Sequence, residues 1–185
     1  MRIEIISGSS RENSVTNRVA LYLQKVIKER INVNAGIIDV REHSLPELQK
    51  VFTSIEAAPA EYKELAQRMF QAEAFILVSP EYNGSFSAAM KNLLDHFPKQ
   101  HHKVFAIATA SPGALGGIRA AIQLQQLVFA LFGIGSPYML VTPQVDKKFD
   151  EEGNLIDPSF AKSIDTFVNE FIWLSEKVIE VKVAG

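Results

Sequence analysis

Ala74-Phe75-Ile76-Leu77-Val78-Ser79-Pro80-Glu81-Tyr82-Asn83-Gly84-Ser85 is an apolar run that stops abruptly at a Pro, an aromatic, an amide and a Gly. The run from Ala74 to Val78 has no polar face, which fits a central strand of a parallel sheet, covered by helices on both sides. Ser85 to Phe97 reads as the helix that follows, opened by Ser85 or by the Gly84-Ser85 pair. The residues between are an odd filler for a mere connection but suit the wall of a flat, polar-edged ring. Tyr82 can lie against a ring face. Asn83 and free backbone N–H groups can meet ring carbonyls and nitrogens, and Gly84 lets the backbone come close. Read with the Ser/Arg/Asn loop near the N-terminus, Pro80 to Gly84 points to a bound flavin, against the plainer reading of a helix-entry turn with Tyr82 as a surface aromatic.

Outward from this stretch, strand-like and helix-period segments alternate along the whole chain. Strands are expected at Arg2 to Ser7, Val33 to Val40, Ala74 to Ser79, Val104 to Ala110 and Pro137 to Thr142. Helical faces are marked by Val15, Val19, Leu23, Val26 and Ile27; by Leu65, Met69 and Phe70; by Ala89, Leu93, Leu94 and Phe97; by Ile118, Ile122, Leu127, Val128 and Leu131; and by Phe160, Ile164, Phe167, Phe171, Leu174 and Val178. Five βα units in strict alternation predict a doubly wound α/β sandwich with a five-stranded parallel sheet in the order 2-1-3-4-5. The 185 residues hold no repeat or dividing linker, so residues 1–185 are expected to form one domain. Asp146 to Pro158 reads as a polar surface loop.

A net charge of −2 disfavours nucleic acid as a partner, and the absence of cysteine excludes disulfides, thiol catalysis and Cys-ligated metals. The N-terminus runs directly into a strand without a signal-peptide pattern, and no apolar run has the length of a membrane span; a cytoplasmic protein is expected. His101 and His102 are adjacent and so cannot share a helix face, and no carboxylate cluster joins them; no metal site is expected. No Gly-x-Ser-x-Gly elbow supplies a hydrolase nucleophile.

Two further loops matter. Ser7-Gly8-Ser9-Ser10-Arg11-Glu12-Asn13-Ser14-Val15-Thr16 lies between the first strand and first helix. Hydroxyls, an amide, a guanidinium and a helix N-terminus converge there, which suits a phosphate monoester. It is neither a Walker loop nor a dinucleotide fingerprint. The plainer alternative is an ordinary capped loop with Asn13 or Ser14 as N-cap. Thr109-Ala110-Ser111-Pro112-Gly113-Ala114-Leu115-Gly116-Gly117 follows the fourth strand. Its glycines let backbone approach a ligand edge, or simply make a flexible loop before a helix.

Taken together, Gly8-Ser9-Ser10-Arg11-Glu12-Asn13-Ser14, Ser79-Pro80-Glu81-Tyr82-Asn83-Gly84-Ser85 with Lys91-Asn92-Leu93-Leu94-Asp95, and Ser111-Pro112-Gly113 with Gly116-Gly117-Ile118-Arg119 resemble the NAD(P)H-dependent FMN reductase family. This family has a flavodoxin-like fold and includes quinone, chromate and azo-dye reductases. The resemblance implies bound FMN, with NADPH or NADH as donor and a small-molecule electron acceptor. By resemblance Ser9, Arg11, Ser14, Val15 and Thr16 hold the FMN phosphate; Pro80, Glu81, Tyr82 and Asn83, with Gly84, hold the isoalloxazine; Ser111 and Gly113 close its pyrimidine side. The implied chemistry is ping-pong and cofactor-borne, so no catalytic side chain is expected. The family is usually dimeric or tetrameric, and surplus apolar residues on the third and fourth helices, Leu93 and Phe97, Leu124 and Phe132 among them, suggest a two-fold subunit contact. Two stretches depart from the pattern. Asp95-His96-Phe97 stands where a Trp often follows the Asp, and Ala114-Leu115 where Gly or Arg is common; both are expected to bear on the nicotinamide or substrate pocket. The alternative from another class is a flavodoxin-like electron carrier without a nicotinamide site, which a near-neutral charge disfavours.

Overall fold

The structure, a computed structural model, describes residues 1–31 and 33–184, with side chains through Glu180. Strands β1 (Arg2–Ser7), β2 (Asn34–Asp39), β3 (Ala74–Ser79), β4 (Val104–Ser111), β5 (Ile134–Gly135) and β6 (Leu140–Pro143) form one parallel sheet. Helices α1 (Val15–Arg30), α2 (Lys63–Gln71), α3 (Ala88–Asp95), α4 (Ile118–Ala130) and α5 (Ala161–Ala184) flank it. The strand order is β2-β1-β3-β4-β5, with β6 also on β4. This is the expected doubly wound sandwich with one strand more than expected.

Strand alternation divides the core into two layers. Ala74, Ile76 and Val78 of β3 pack with the inner faces of α1 and α5, including Leu23, Ile27, Phe167 and Phe171. Phe75 and Leu77 pack on the opposite face with Leu65, Met69, Met90, Leu93, Leu124 and Val128 of α2, α3 and α4. Phe75 faces Phe105 of β4 in register, the rings stacked with centroids 5.1 Å apart. That cross-strand pair anchors the centre of the sheet.

The extra strand is a split one. Val104 pairs with Ile134 and Ala108 with Leu140, so four steps along β4 are matched by six along the edge. The surplus residues surround Pro137, which has no N–H to give the ladder and is tolerated only at an edge or bulge. The strand expected at Pro137 to Thr142 is therefore corrected: it begins upstream at Ile134, breaks around Pro137 and resumes at Leu140. The third helix is also shorter than the expected Ser85 to Phe97, because Ser85 is consumed by the turn before it. Asp146 to Pro158 is not purely a surface loop either: Phe149 is fully buried against Tyr22 and Phe160, and a Phe149–Leu155 bridge closes the segment.

One buried ion pair sits at the amino end of the sheet. Glu4 of β1 is paired to Arg68 of α2 by Nε at 3.1 Å and Nη2 at 2.5 Å. Its neighbour in β2 is Gly36, where a Cβ would lie 2.5 Å from Glu4 Oε2 and 2.8 Å from Arg68 Nη2. The glycine thus makes room for a charge that the sheet could not otherwise bury. No helix among the described residues is long and apolar enough to cross a membrane.

His43, just past β2, carries a testable consequence. Its Nε2 is buried without a partner, and burial holds its pKa below the ordinary 6.5, with Arg68 adding to the shift and Glu42, Glu64 and Asp39 opposing it. Above 6.5 the imidazole is neutral in both folded and unfolded chains. As pH falls through 6.5 the unfolded chain takes the proton first, so stability drops until the lower folded pKa is passed. Urea unfolding across this range should show that acid-side slope, and His43→Gln should flatten it.

Candidate functional site

The carboxyl ends of β1, β3 and β4 surround a cleft of ≈ 210 Å³ lined by Ser9, Arg11, Asn13, Ser14, Val15, Thr16, Pro80, Glu81, Tyr82, Ala110, Ser111 and Pro112. All three sequence-predicted loops meet here, at the crevice where the strand order reverses. Nine of the expected site residues line it; Asn83, Gly84 and Gly113 do not. Asn13, Ala110 and Pro112 line it although the sequence did not single them out as ligand residues. They were legible only as neighbours of residues that it did.

The first loop is an anion cradle by construction. Ser14 is the N-cap of α1, its Oγ accepting from Asn17 N at 3.1 Å. The N–H groups of Val15 and Thr16 have no intrahelical acceptor, and the first turn contains no acidic side chain to occupy the positive helix end. Ser9 and Thr16 are each 2% exposed. The Ser9 hydroxyl accepts only a long 3.5 Å contact from Arg11 N, and the Thr16 hydroxyl has no protein partner among the described residues. Both residues line the cleft, so these hydroxyls can donate to the acceptors of a ligand. This donor set fits a phosphate monoester, and so fits the phosphate end of FMN.

The second loop turns out differently from the simple wall expected of it. Tyr82 N donates to Ser85 O at 2.9 Å and Ser85 N to Tyr82 O at 3.0 Å. Between them Asn83 has φ 50° and Gly84 φ 80°. Two central residues of positive φ are the signature of a type I′ turn, for which Asn-Gly is the preferred pair. Asn83, exposed, and Gly84, half-buried, thus form the tip of a tight hairpin, and their residue types are explained by the turn. Neither is among the residues that line the cleft. Tyr82, at the hairpin base, is. The Arg11 guanidinium lies over its ring, 4.8 Å from the centroid, so the first and second loops touch across the cleft.

Glu81 is also redirected. Its carboxylate accepts from Arg119 N at 3.0 Å, Ala120 N at 3.4 Å and Arg119 Nη1 at 3.2 Å, which caps α4 from outside. The helix's own N-cap, Gly117, has no side chain to do so. The glycines of the third loop serve packing. A Cβ on Gly117 would fall 2.9 Å from Thr109 Cβ, and one on Gly116 2.7 Å from Pro143 N, so α4 starts in contact with β4 and β6. Gly113 O accepts from Gln144 N at 3.2 Å, which holds Gly113 on the β6 side, away from the cleft. Ser111 remains in the lining, its Oγ accepting from Gly113 N at 3.0 Å.

The departures from the family pattern do not reach the cleft. His96 is buried, with Nδ1 2.8 Å from Asn92 O and its ring against Phe52. Leu115 is exposed outside the lining. His101 and His102 precede β4, at the end of the sheet opposite the cleft, where His101 stacks on Phe132.

Residues 1–144 match the family model described as NADPH-dependent FMN reductase. An FMN-dependent NADPH-azoreductase of Staphylococcus aureus is 32% identical over 175 residues, covering 91% of this chain and 92% of the relative. The solved structure of FerB, a flavoenzyme NAD(P)H:(acceptor) oxidoreductase from Paracoccus denitrificans, is similar with a TM-score of 0.79 at 22% identity, over 95% of this chain and 97% of that one. A flavodoxin variant from Pseudomonas aeruginosa is similar with a TM-score of 0.57 at 17% identity, over 92% and 99%. At these identities the two structures establish the fold, a flavodoxin-like sandwich.

Ser87, which the sequence reading passed over, ties the first two loops together. It is the N-cap of α3, accepting from Met90 N at 3.1 Å, and its own hydroxyl donates to Gly8 O. Ser87→Ala removes the cap and leaves a buried carbonyl short of a donor, so urea denaturation should show a loss of about 1–3 kcal/mol.

Proposed function

The chain belongs to the NADPH-dependent FMN reductase family, and from that premise we propose that it reduces a quinone, free flavin, azo compound or metal oxyanion with NADPH or NADH as donor. It is an NAD(P)H-dependent FMN oxidoreductase. Bound FMN would supply the redox chemistry, hydride acceptance from a nicotinamide and electron delivery to the acceptor in ping-pong order. The chain's own residues bind and orient. The observation that carries this reading is the set of unpartnered donors at Ser9, Thr16 and the α1 N-terminus, set across one cleft from Tyr82.

In this reading Ser9, Ser14, Val15 and Thr16 offer hydroxyls and N–H groups to the phosphate, and Arg11 adds a charge-assisted bond. Pro80, Glu81 and Tyr82 border the ring, with Tyr82 offering a face. The backbone of Ser111 closes the far side. Asn83, Gly84 and Gly113 act by shaping the loops. No side chain needs to exchange a proton with the substrate.

One domain over residues 1–185, working in the cytoplasm as a dimer or tetramer, completes the reading. The apolar residues that support a subunit contact match those the sequence suggested only in part, at Phe132. Leu93, Phe97, Leu124 and Leu131 are buried within the monomer, whereas Ile122 and Phe129 of α4, and Phe132 beyond it, are exposed.

Two measurements test the reading. Arg11→Ala should weaken FMN binding by about 1.5–3 kcal/mol if the guanidinium meets the phosphate; an unchanged dissociation constant removes Arg11 from that role. Stopped-flow mixing of the FMN-loaded protein with NADPH or NADH should bleach the flavin band rapidly, and more slowly in Tyr82→Ala. If neither nucleotide bleaches it within seconds while a reduced protein partner does, the electron-carrier reading replaces the reductase.

A further inference from the structure

Helix N-termini carry partial positive charge from their unpaired N–H groups; that of α1 lines the cleft, and that of α4 meets the cleft wall at Glu81. The N-terminus of α1 is left open, with no acid in its first turn. The N-terminus of α4 is treated in the opposite way. Its own first turn is also without an acid and its N-cap is a glycine, but Glu81 reaches it from the β3–α3 connection. One oxygen of Glu81 takes the N–H groups of Arg119 and Ala120, and the other takes the Arg119 guanidinium. The Glu81 side chain is 13% exposed whereas that of Arg119 is 62% exposed, so the carboxylate is the shielded member of the pair and the less screened by solvent.

The same contact fixes the hairpin. Ser85 Oγ donates to Gln123 Oε1 at 2.5 Å, one turn further along α4. Glu81 and Ser85 therefore flank the Asn83-Gly84 tip and clamp both of its sides to the helix, with Tyr82 held facing the cleft between them. The connection lies against the helix start: the Cβ of Glu81 is 3.6 Å from where a Cβ on Gly117 would stand.

We propose that Glu81 is a positioning residue with two effects: it docks the Tyr82 hairpin on the N-terminus of α4, and it sets negative charge beside the cleft where a bare helix end and Arg119 would otherwise set positive charge. The second effect rests on the FMN reading above. Reduced flavin carries negative charge that oxidised flavin lacks, so a carboxylate at this place holds the reduction potential down and keeps the reduced cofactor ready to give up electrons. The docking effect stands without the cofactor.

The experiment uses Glu81→Gln, which keeps size and an acceptor oxygen while removing the charge, with Glu81→Ala and Arg119→Gln as companions. Redox titration of FMN-loaded protein should show a higher midpoint potential in Glu81→Gln. An approximately tenfold gain in affinity for reduced over oxidised FMN corresponds to about 30 mV for a two-electron couple. Arg119→Gln should move the potential the other way and by less, since its guanidinium is mostly in solvent. In apoprotein, chymotrypsin should cut at Tyr82 or Phe86 several-fold faster in Glu81→Ala than in wild type. A Glu81→Gln potential equal to wild type, in protein that binds FMN normally, overturns the electrostatic role. Equal cleavage rates in apoprotein overturn the docking role. Wild-type protein that fails to bind FMN at all sinks the functional reading and the electrostatic role with it, while the cleavage comparison still decides the docking.

Discussion

The cleft exists because two neighbouring strand ends are tied together at a glycine. Gly8 N donates to Val78 O at 2.8 Å, and Gly8 O accepts from the Ser87 hydroxyl. The chain leaving β1 is thereby held against both the end of β3 and the start of α3. A Cβ at this position would lie 2.5 Å from Met90 Cε and 3.2 Å from Val78 O. Any larger residue would have to displace the Met90 side chain and crowd Met90 Cβ, 3.1 Å away. From this point the first loop must rise over the sheet end toward α1, and the second must leave Ser79 on the other side. Their divergence opens the crevice, and Arg11 and Tyr82 meet across it.

Charge is distributed along the sheet in a way that keeps structural and binding demands apart. At the amino end, Glu4 and Arg68 form a bidentate pair that has its own recess at Gly36. Breaking such a pair leaves an uncompensated buried charge, so its place far from the cleft means that ligand exchange does not disturb it. At the end of β2, Arg41 is held by Asp39 and donates to Glu12 O at 2.8 Å, bracing the outer part of the first loop. At the carboxyl ends, the hydroxyls of Ser9 and Thr16 and the first turn of α1 keep donors free for a ligand. A folded chain leaves donors unpaired at a cost, and the cost is acceptable where a ligand with acceptors is the usual occupant.

The sequence was legible where one physical requirement dominated a stretch. Strands β1 to β4 are buried on both faces, so their apolar runs stand out, and alternation with amphipathic helices leaves few topologies to consider. The loops were legible as a set because polar residues crowded at three strand ends have little other use. The parts that were not legible depend on pairings between distant segments. Pro137 looked like the start of a strand, and nothing local says that Ile134 and Gly135 pair with Val104 and Phe105 before the break. Ser85 looked like a helix cap, yet the Asn83-Gly84 turn claims it and passes the cap to Ser87. Asn-Gly itself was the available signal for the hairpin, but a strand-to-helix connection gave no reason to look for one.

Glu81 shows why residue roles are harder to read than residue places. Its position in the cleft wall follows from its neighbours, and the lining includes it. Its carboxylate, however, is committed to α4, whose start is 36 residues further along the chain at Gly117. That commitment has a cause in the third loop: Gly116 and Gly117 are required by the close packing on β4 and β6, and a helix that begins on glycine has no cap of its own. The packing requirement of one loop is met by a side chain from another. A substitution in either loop therefore changes the shape of both, and the walls of the cleft respond together.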